Sequence, residues 1–190
     1  YFNNGRCYVA EDPLLGASGK FGSVWTRLGD LLIKNNVYKQ VLLVPIAQGG
    51  APVEGWVPHN GANLYPRIEI AFNRLTKLGL TLTHLLWHQG ESDKDSTGIK
   101  YEKSFLKMYR AIRNLGVTAP LYIALATYCD GYDNDDVRNA QERLSKTNLL
   151  IRTGANTDSL KDDKYRLDKC HFSKLGLTRH AQLWYEAMTK

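Results

Sequence analysis

Short apolar runs alternate along this chain with longer stretches in which apolar residues recur every three or four positions. The runs are short and predict the strands of a parallel sheet: 41–46, 82–87, 121–126 and 149–153. The run 41–46 is continuous, as in a parallel strand buried on both faces. The longer stretches predict amphipathic helices from Ser23 onward and over about 64–78, 100–115, 136–146 and 174–188. This alternation predicts an α/β fold, a three-layer α/β/α sandwich with a parallel sheet. We find no internal repeat and no linker, so residues 1–190 are expected to form a single domain.

Particular residues are expected to mark where these elements begin and end. Ser23 is a plausible N-cap for the first helix, and Asp136 for the fourth. Gly116 is expected to stop the third helix. Residues 1–22 read as a loop, because Asn, Pro and Gly interrupt any periodicity there.

The composition and charge of the chain argue against a membrane or a nucleic acid as its partner. The chain has 190 residues, is 43% hydrophobic and contains no apolar run near the ~20 residues of a membrane helix, so no membrane partner is expected. Its net charge is +6, but lysines and arginines are interleaved with acids and form no basic run. This pattern is typical of a solvated surface, so no nucleic-acid partner is expected either.

The segment 87–93, Trp-His-Gln-Gly-Glu-Ser-Asp, follows the second predicted strand without a break and is almost entirely polar. Polar groups just beyond the carboxyl end of a buried strand are where open α/β sheets carry their chemistry. His88 offers a base, Gln89 an amide donor, and Glu91 and Asp93 two carboxylates. The segment is therefore the first candidate for an active site.

Other polar positions are expected at the same sheet edge. Gly49-Gly50 follows the first predicted strand and would let a backbone N–H approach a ligand closely. Asp168 precedes His171 by three residues, so its carboxylate can hold the Nδ1 proton and leave Nε2 as a base. Aromatic residues on strand-end loops could stack on sugars: Trp56, Tyr128 and Tyr132.

The three cysteines, Cys7, Cys129 and Cys170, lack metal-ligand spacing, and no metal or organic cofactor is implied. An odd number leaves at least one thiol free or paired outside the chain, and a disulfide between Cys129 and Cys170 remains one option. A cysteine hydrolase using Cys170 beside His171 is disfavoured, since adjacent residues seldom point at each other. The compartment is left open.

Together, the segment 87–93 and Asp168-Lys169-Cys170-His171 resemble the carbohydrate acetylesterases of the SGNH-hydrolase superfamily, in particular the sialate O-acetylesterase-like group and carbohydrate esterase family 6. That family pairs a His-Gln-Gly-Glu block with a C-terminal Asp-x-x-His block. Residues 46–56 are similar to its glycine block, and the three blocks occur in the family's order. The resemblance spans most of the chain.

The resemblance implies a role for each matched residue. His171 would be the general base, with Asp168 orienting it. Gly50, beside Gly49, would give a backbone N–H and Gln89 a side-chain N–H to the oxyanion. Glu91 would be either the acid partner of the histidine or a brace between loops. His88 would brace the block, and Asp93 would cap the next segment of the chain.

One family block has no counterpart: the nucleophilic serine in Gly-x-Ser-Asn at the end of the first strand. Ser18, in Gly16-Ala17-Ser18-Gly19, has glycine neighbours, but too short an apolar stretch precedes it to form the presenting strand. We therefore expect the domain to be N-terminally incomplete, with the serine and its strand upstream of Tyr1 or on a companion fragment.

The expected function is a carbohydrate O-acetylesterase that hydrolyses acetyl esters on a sugar or polysaccharide by a Ser-His-Asp mechanism. The alternative is a non-catalytic carbohydrate-binding domain derived from such an esterase. The acetylated carbohydrate is the expected partner in both.

Overall fold

The computed structural model describes residues 1–18, 22–147 and 149–190, which form two compact units. One unit combines Tyr1–Gly49 with Ser159–Lys190, and the other is Gly50–Asp158. Gly19, part of the candidate glycine-flanked serine motif, lies outside the described residues. In chain order the strands and helices are β1 (Phe2–Asn3), β2 (Arg6–Cys7), α1 (Val24–Lys34), α2 (Pro66–Lys77), β3 (Leu85–Trp87), α3 (Gly98–Asn114), β4 (Leu121–Leu125), α4 (Asp135–Ser145), β5 (Ile151–Asn156) and α5 (Lys174–Met188).

The unit Gly50–Asp158 contains a three-stranded parallel sheet in the order β3-β4-β5. Leu85 pairs with Leu121, and Leu121 pairs in turn with Ile151. Helix α3 connects β3 to β4 and α4 connects β4 to β5, as parallel pairing requires. The α/β class with a parallel sheet, predicted from the alternation of strands and helices, is confirmed.

Helix α3 supplies much of this unit's core. Its Thr97 N-cap side chain accepts the N–H of Lys100. The apolar face predicted from the periodicity is buried in full: Tyr101, Phe105, Met108, Tyr109 and Ile112. Phe105 meets Trp87 of β3 edge-to-face, with ring centroids 6.1 Å apart. Burying such a side chain contributes about 1.5–3 kcal/mol, so α3 anchors the strand that leads into the candidate site.

The other unit contains a small hairpin and two packed helices. Helix α1 begins after Ser23, whose hydroxyl oxygen accepts the N–H of Trp25, so the predicted cap is present. Trp25 of α1 contacts Trp184 of α5, with ring centroids 5.6 Å apart. Helix α5 occupies Lys174–Met188, the range expected from the sequence.

The hairpin β1–β2 was missed when residues 1–22 were read as a loop. Asn4 and Gly5 between the strands have φ of +48° and +78°, the conformation of a two-residue type I′ turn. Asn-Gly is the preferred dipeptide for that turn, so the signal was present in the sequence. The strands are only two residues long, too short for an alternating pattern to show.

The predicted strand 41–46 is also wrong: this segment contains no strand. The carbonyl of Leu43 accepts the N–H of Phe2 at 2.7 Å, but the described residues form no β-ladder with the segment. An apolar run specifies burial, not a pairing partner, and a strand exists only where a second backbone supplies a ladder.

Strand β3 is shorter and less buried than expected. It covers Leu85–Trp87, half-buried throughout, instead of 82–87. It ends the described three-stranded order and pairs there with β4 alone, which explains its exposure. Within the described residues, no helix is both long and apolar enough to cross a bilayer.

Candidate active site

Asp168 and His171 form the hydrogen-bonded pair that the sequence predicts. His171 Nδ1 lies 2.8 Å from Asp168 Oδ2. The other carboxylate oxygen, Oδ1, accepts the backbone N–H groups of His171 at 2.7 Å and Cys170 at 3.1 Å. The His171 side chain is 78% exposed. With Nδ1 held by the carboxylate, Nε2 is the nitrogen left for a reacting proton.

The bonds to His171 also set the ionisation of Asp168. The His171 backbone N–H, and after it the imidazole, lower the pKa of Asp168 to about 2 from its ordinary 3.8. Hydrogen bonds to the charged form of a carboxyl group favour that form. Asp168 therefore stays a carboxylate at any pH where the histidine could act as a base.

A tight loop presents this pair. Arg166 and Phe172 form an isolated antiparallel bridge, and the Leu167 N–H donates to the His171 carbonyl at 2.7 Å. Inside the loop, Lys169 has a φ of +62°, a conformation that a non-glycine residue seldom adopts. Asp168 and His171 are thus held on a closed four-residue turn.

The buried side chain of Arg166 stabilises the loop that carries Asp168 and His171. Its guanidinium stacks 3.8 Å from the Phe172 ring centroid and donates to the carbonyls of Leu160, at 2.7 Å, and Cys170. Nothing in the sequence pattern singled out this arginine. Its significance depends on carbonyl groups whose positions only the folded chain reveals.

Gln89, the predicted oxyanion donor, lies in the other unit and is 9% exposed. Its Nε2 donates to Asp93 Oδ2 at 2.5 Å and to the carbonyl oxygen of Ala51 at 3.3 Å. Both neighbours are acceptors, which fixes the amide with its nitrogen toward them. Oε1 is buried and has no hydrogen-bond partner among the described residues.

Gly90 turns the chain directly after Gln89. Its φ is +154°, and a Cβ built on it would overlap the carbonyl oxygen of Ala126 at the end of β4. Gln141 of α4 bridges the same two strand ends: Oε1 accepts the Ala126 N–H at 3.0 Å, and Nε2 donates to the Gln89 carbonyl at 3.0 Å. Buried Tyr101 donates its hydroxyl to that carbonyl as well, at 3.3 Å. The backbone carbonyl of Gln89 is therefore held by two buried polar side chains, those of Gln141 and Tyr101.

Glu91 and His88 are close to each other. Glu91 Oε1 lies 3.6 Å from His88 Nε2, which is also 3.2 Å from the Thr157 hydroxyl. That hydroxyl lies 3.2 Å from the carbonyl of Leu125, its acceptor. His88 thus bridges the 87–93 segment and the chain beyond β5, in agreement with the bracing role expected for it.

The glycines of the predicted glycine block differ in their surroundings. Gly49, the last residue of the first segment of its unit, donates its N–H to the Ser18 hydroxyl oxygen. Gly50 has a φ of +70°, and a Cβ built on it would meet open space. Gly50 therefore needs glycine for its backbone conformation, not for lack of room.

Trp56 is only 4% exposed and packs edge-on against Trp87, with ring centroids 5.7 Å apart. In this arrangement its ring has little surface for a sugar, and its stacking role stays a prediction. Tyr132 on the loop after β4 is 69% exposed.

The loop after β4 is held by Asp158, which sequence reasoning missed. Its carboxylate accepts the N–H groups of Thr127 at 2.7 Å and Tyr128 at 2.9 Å, and the Thr127 hydroxyl at 2.8 Å. Arg138 adds an ion pair at 3.1 Å. An aspartate 31 residues from the loop it supports gives no local signal.

The cysteines limit the possible nucleophiles. Cys7 is exposed and free, whereas Cys129 and Cys170 are both disulfide-bonded. Cys170 thus has no thiolate to offer beside His171, in keeping with the disfavoured cysteine-hydrolase alternative.

Comparison with known proteins resolves the family. A family model described as carbohydrate esterase, sialic acid-specific acetylesterase, matches residues 15–190. The chain belongs to this family.

Two further comparisons bear on the family and on the fold. The chain is 31% identical over 142 residues to a probable carbohydrate esterase of Arabidopsis thaliana, At4g34215, a match covering 72% of this chain and 52% of that protein. The chain thus spans about half the length of the curated relative. An X-ray structure of the Arabidopsis protein AT4G34215 matches with a TM-score of 0.66 at 21% identity, over 88% of this chain and 68% of that one, and supports the fold.

Within this member of the family, the predicted site residues divide between the two units. Asp168, His171 and Gly49 belong to one, and Gly50, Trp56, Gln89 and Glu91 to the other. The structure brings Asp168 and His171 into direct contact. In the other unit it joins Gln89 to Asp93, which was expected only to cap the next segment.

Proposed function

We propose that this chain forms the larger part of a serine esterase that removes acetyl groups from a sugar or polysaccharide. The observation that carries the proposal is the bond of 2.8 Å between Asp168 Oδ2 and His171 Nδ1. Family membership adds the substrate class, because the matching model describes sialic acid-specific acetylesterases.

In the proposed reaction, His171 Nε2 takes the proton from a serine hydroxyl as the serine oxygen attacks the acetyl carbonyl carbon. The tetrahedral intermediate collapses, the sugar oxygen leaves with the proton from His171, and an acetyl-serine remains. Water, deprotonated by His171, then releases acetate and restores the serine. Asp168 keeps the imidazole in the required tautomer and stabilises its protonated form.

Asp168 is proposed as the acid partner in preference to Glu91. Asp168 contacts His171 within the same loop, while Glu91 lies 3.6 Å from a different histidine, His88. Glu91 would then brace the 87–93 segment. The oxyanion would be held by the Gly50 N–H and by an N–H of Gln89, and one such donor is worth about 10²–10³ in rate.

The nucleophile is proposed to lie on residues outside this sequence, upstream of Tyr1 or on a companion fragment, because the family's Gly-x-Ser-Asn block does not occur within it. Labelling of the natural protein with a serine-reactive phosphonate, followed by peptide mapping, tests this placement. A label on such a serine supports it. A label on Ser18, whose hydroxyl contacts the Gly49 N–H, overturns it.

Acetate release from an O-acetylated sugar tests the reaction. His171→Ala should abolish release by the natural protein. The matched control is His84→Ala, which removes a histidine just before β3 and should keep full activity. Glycan binding without hydrolysis or labelling would replace the esterase with a carbohydrate-binding module.

A further inference from the structure

Asp93 is a buried carboxylate that the proposed reaction does not yet use. It ends the short 3-10 helix Glu91–Asp93 and is 6% exposed. Two donors converge on its Oδ2: Gln89 Nε2 at 2.5 Å and the backbone N–H of Val53 at 2.8 Å. One oxygen atom thus joins the 87–93 segment to the glycine block, residues 46–56.

The expected capping role does not explain this geometry. Helix α3 begins with its own cap, the Thr97 hydroxyl, and Asp93 contributes only its backbone carbonyl to the turn that precedes α3. The carboxylate points instead at Gln89 and Val53. Burial raises the pKa of the Asp93 carboxyl group, opposed by these two hydrogen bonds and by Lys100. Burying a carboxyl group costs free energy, so its place here calls for a reason beyond packing.

The two contacts of the Gln89 amide differ in strength. The carboxylate oxygen of Asp93 is a stronger acceptor than the neutral carbonyl oxygen of Ala51, and the bond to Ala51 is long, at 3.3 Å. An amide nitrogen has two hydrogens. Breaking the hydrogen bond from Gln89 to the Ala51 carbonyl therefore costs little free energy. The hydrogen bond from Gln89 to Asp93 keeps the amide in place.

We propose that Asp93 is a positioning residue for the oxyanion donor Gln89. Its carboxylate holds one amide hydrogen, so a small rotation of the amide about that hydrogen bond is enough to move the other hydrogen from the Ala51 carbonyl to the oxyanion. Through Val53 the same oxygen fixes the backbone that follows Gly50. This inference rests on the proposed esterase function and adds a residue that acts through Gln89, not on the substrate.

A double-mutant cycle on acetate release by the natural protein tests the proposal. Asp93→Asn keeps the size of the side chain but removes the charge, and should lower kcat by about tenfold to hundredfold, less than loss of the donor itself, with KM little changed. In a Gln89→Ala background the same substitution should cost less than about threefold, because the residue it acts through is gone. Equal losses in both backgrounds would show a merely structural role and overturn the proposal. Asp95→Asn, an exposed aspartate two residues on, is the matched control and should change nothing.

A second measurement does not depend on activity. In NMR spectra, the Gln89 side-chain amide, assigned by its loss in Gln89→Ala, should show one proton shifted downfield and slow to exchange. Asp93→Asn should move that proton toward the position of a solvent-exposed amide, with the fold verified by circular dichroism. An unmoved proton would overturn the proposal. If the unmodified protein releases no acetate, the esterase proposal fails, while this signal still decides whether Asp93 orients Gln89.

Discussion

The carboxylate of Asp168 makes two hydrogen bonds to His171: Oδ2 lies 2.8 Å from the imidazole Nδ1, and Oδ1 accepts the backbone N–H at 2.7 Å. One side chain thereby fixes both the ring and the backbone that carries it. Because the loop is closed by the Arg166–Phe172 bridge, the pair is preorganised before any substrate binds.

Asp168→Asn should lower kcat by about 10³–10⁴, because an amide can donate to Nδ1 and favour the wrong imidazole tautomer. Acetate release by the natural protein measures this effect. Asp162→Asn, at an exposed aspartate in the same unit, should leave activity unchanged. A loss of less than about tenfold would remove Asp168 as the acid partner and favour Glu91.

The lowered pKa of Asp168 makes a separate prediction for the unmodified chain. A carboxyl group whose pKa falls on folding stabilises the folded state above its unfolded pKa, ordinarily 3.8, and loses that contribution as pH falls toward about 2. The Asp168 carboxyl carbon should therefore titrate by NMR near pH 2. A midpoint near 3.8 would mean that the His171 contacts do not persist in solution.

Gly90→Ala should destabilise the chain by about 3 kcal/mol or more, because a Cβ at φ +154° would overlap the Ala126 carbonyl in a packed interior. The free energy of unfolding in urea measures the loss. Gly116→Ala is the matched control: φ is also positive there, at +90°, but the space is open. Only backbone strain of about 1 kcal/mol is expected at Gly116. Equal losses at both glycines would rule out the steric explanation.

Asn134, not the expected Asp136, is the N-cap of α4, and mutating each residue alone distinguishes the two assignments. The Asn134 side chain accepts the Val137 N–H at 3.0 Å and donates to the carbonyls of Asp93, Lys94 and Ser96. Asn134→Ala should cost about 2 kcal/mol, above the usual ~1 kcal/mol of a lost cap, since these carbonyls lose their donor too. Asp136→Ala removes only a favourable first-turn charge, about 0.3–1 kcal/mol. The free energy of unfolding of both variants in urea measures these costs. A larger loss of stability for Asp136→Ala than for Asn134→Ala would contradict the assignment of Asn134 as the cap.

The sequence predictions succeeded where the interacting residues are close in the chain and failed where they are far apart. The buried face of α3 depends on residues three or four apart, and the start of α1 on a serine two residues before Trp25, so periodicity and capping chemistry located them. The segment 41–46 has an equally clear apolar pattern, yet forms no strand, because pairing depends on a second backbone. Asn134 displaced Asp136 as the cap for a similar reason: its amide also reaches carbonyls about 40 residues away.

By itself the sequence determined the α/β class, the three motif blocks and the Asp168–His171 pair, since a carboxylate and an imidazole three residues apart can meet within one turn. Only the tertiary structure decided what surrounds Gln89. Its contact with Asp93 is local, but the Val53 N–H on the same oxygen comes from 40 residues away and the Gln141 amide beneath it from 52. Such contacts arise where separate strand ends and loops fold against one another, and no spacing in the chain encodes which donor will face which acceptor.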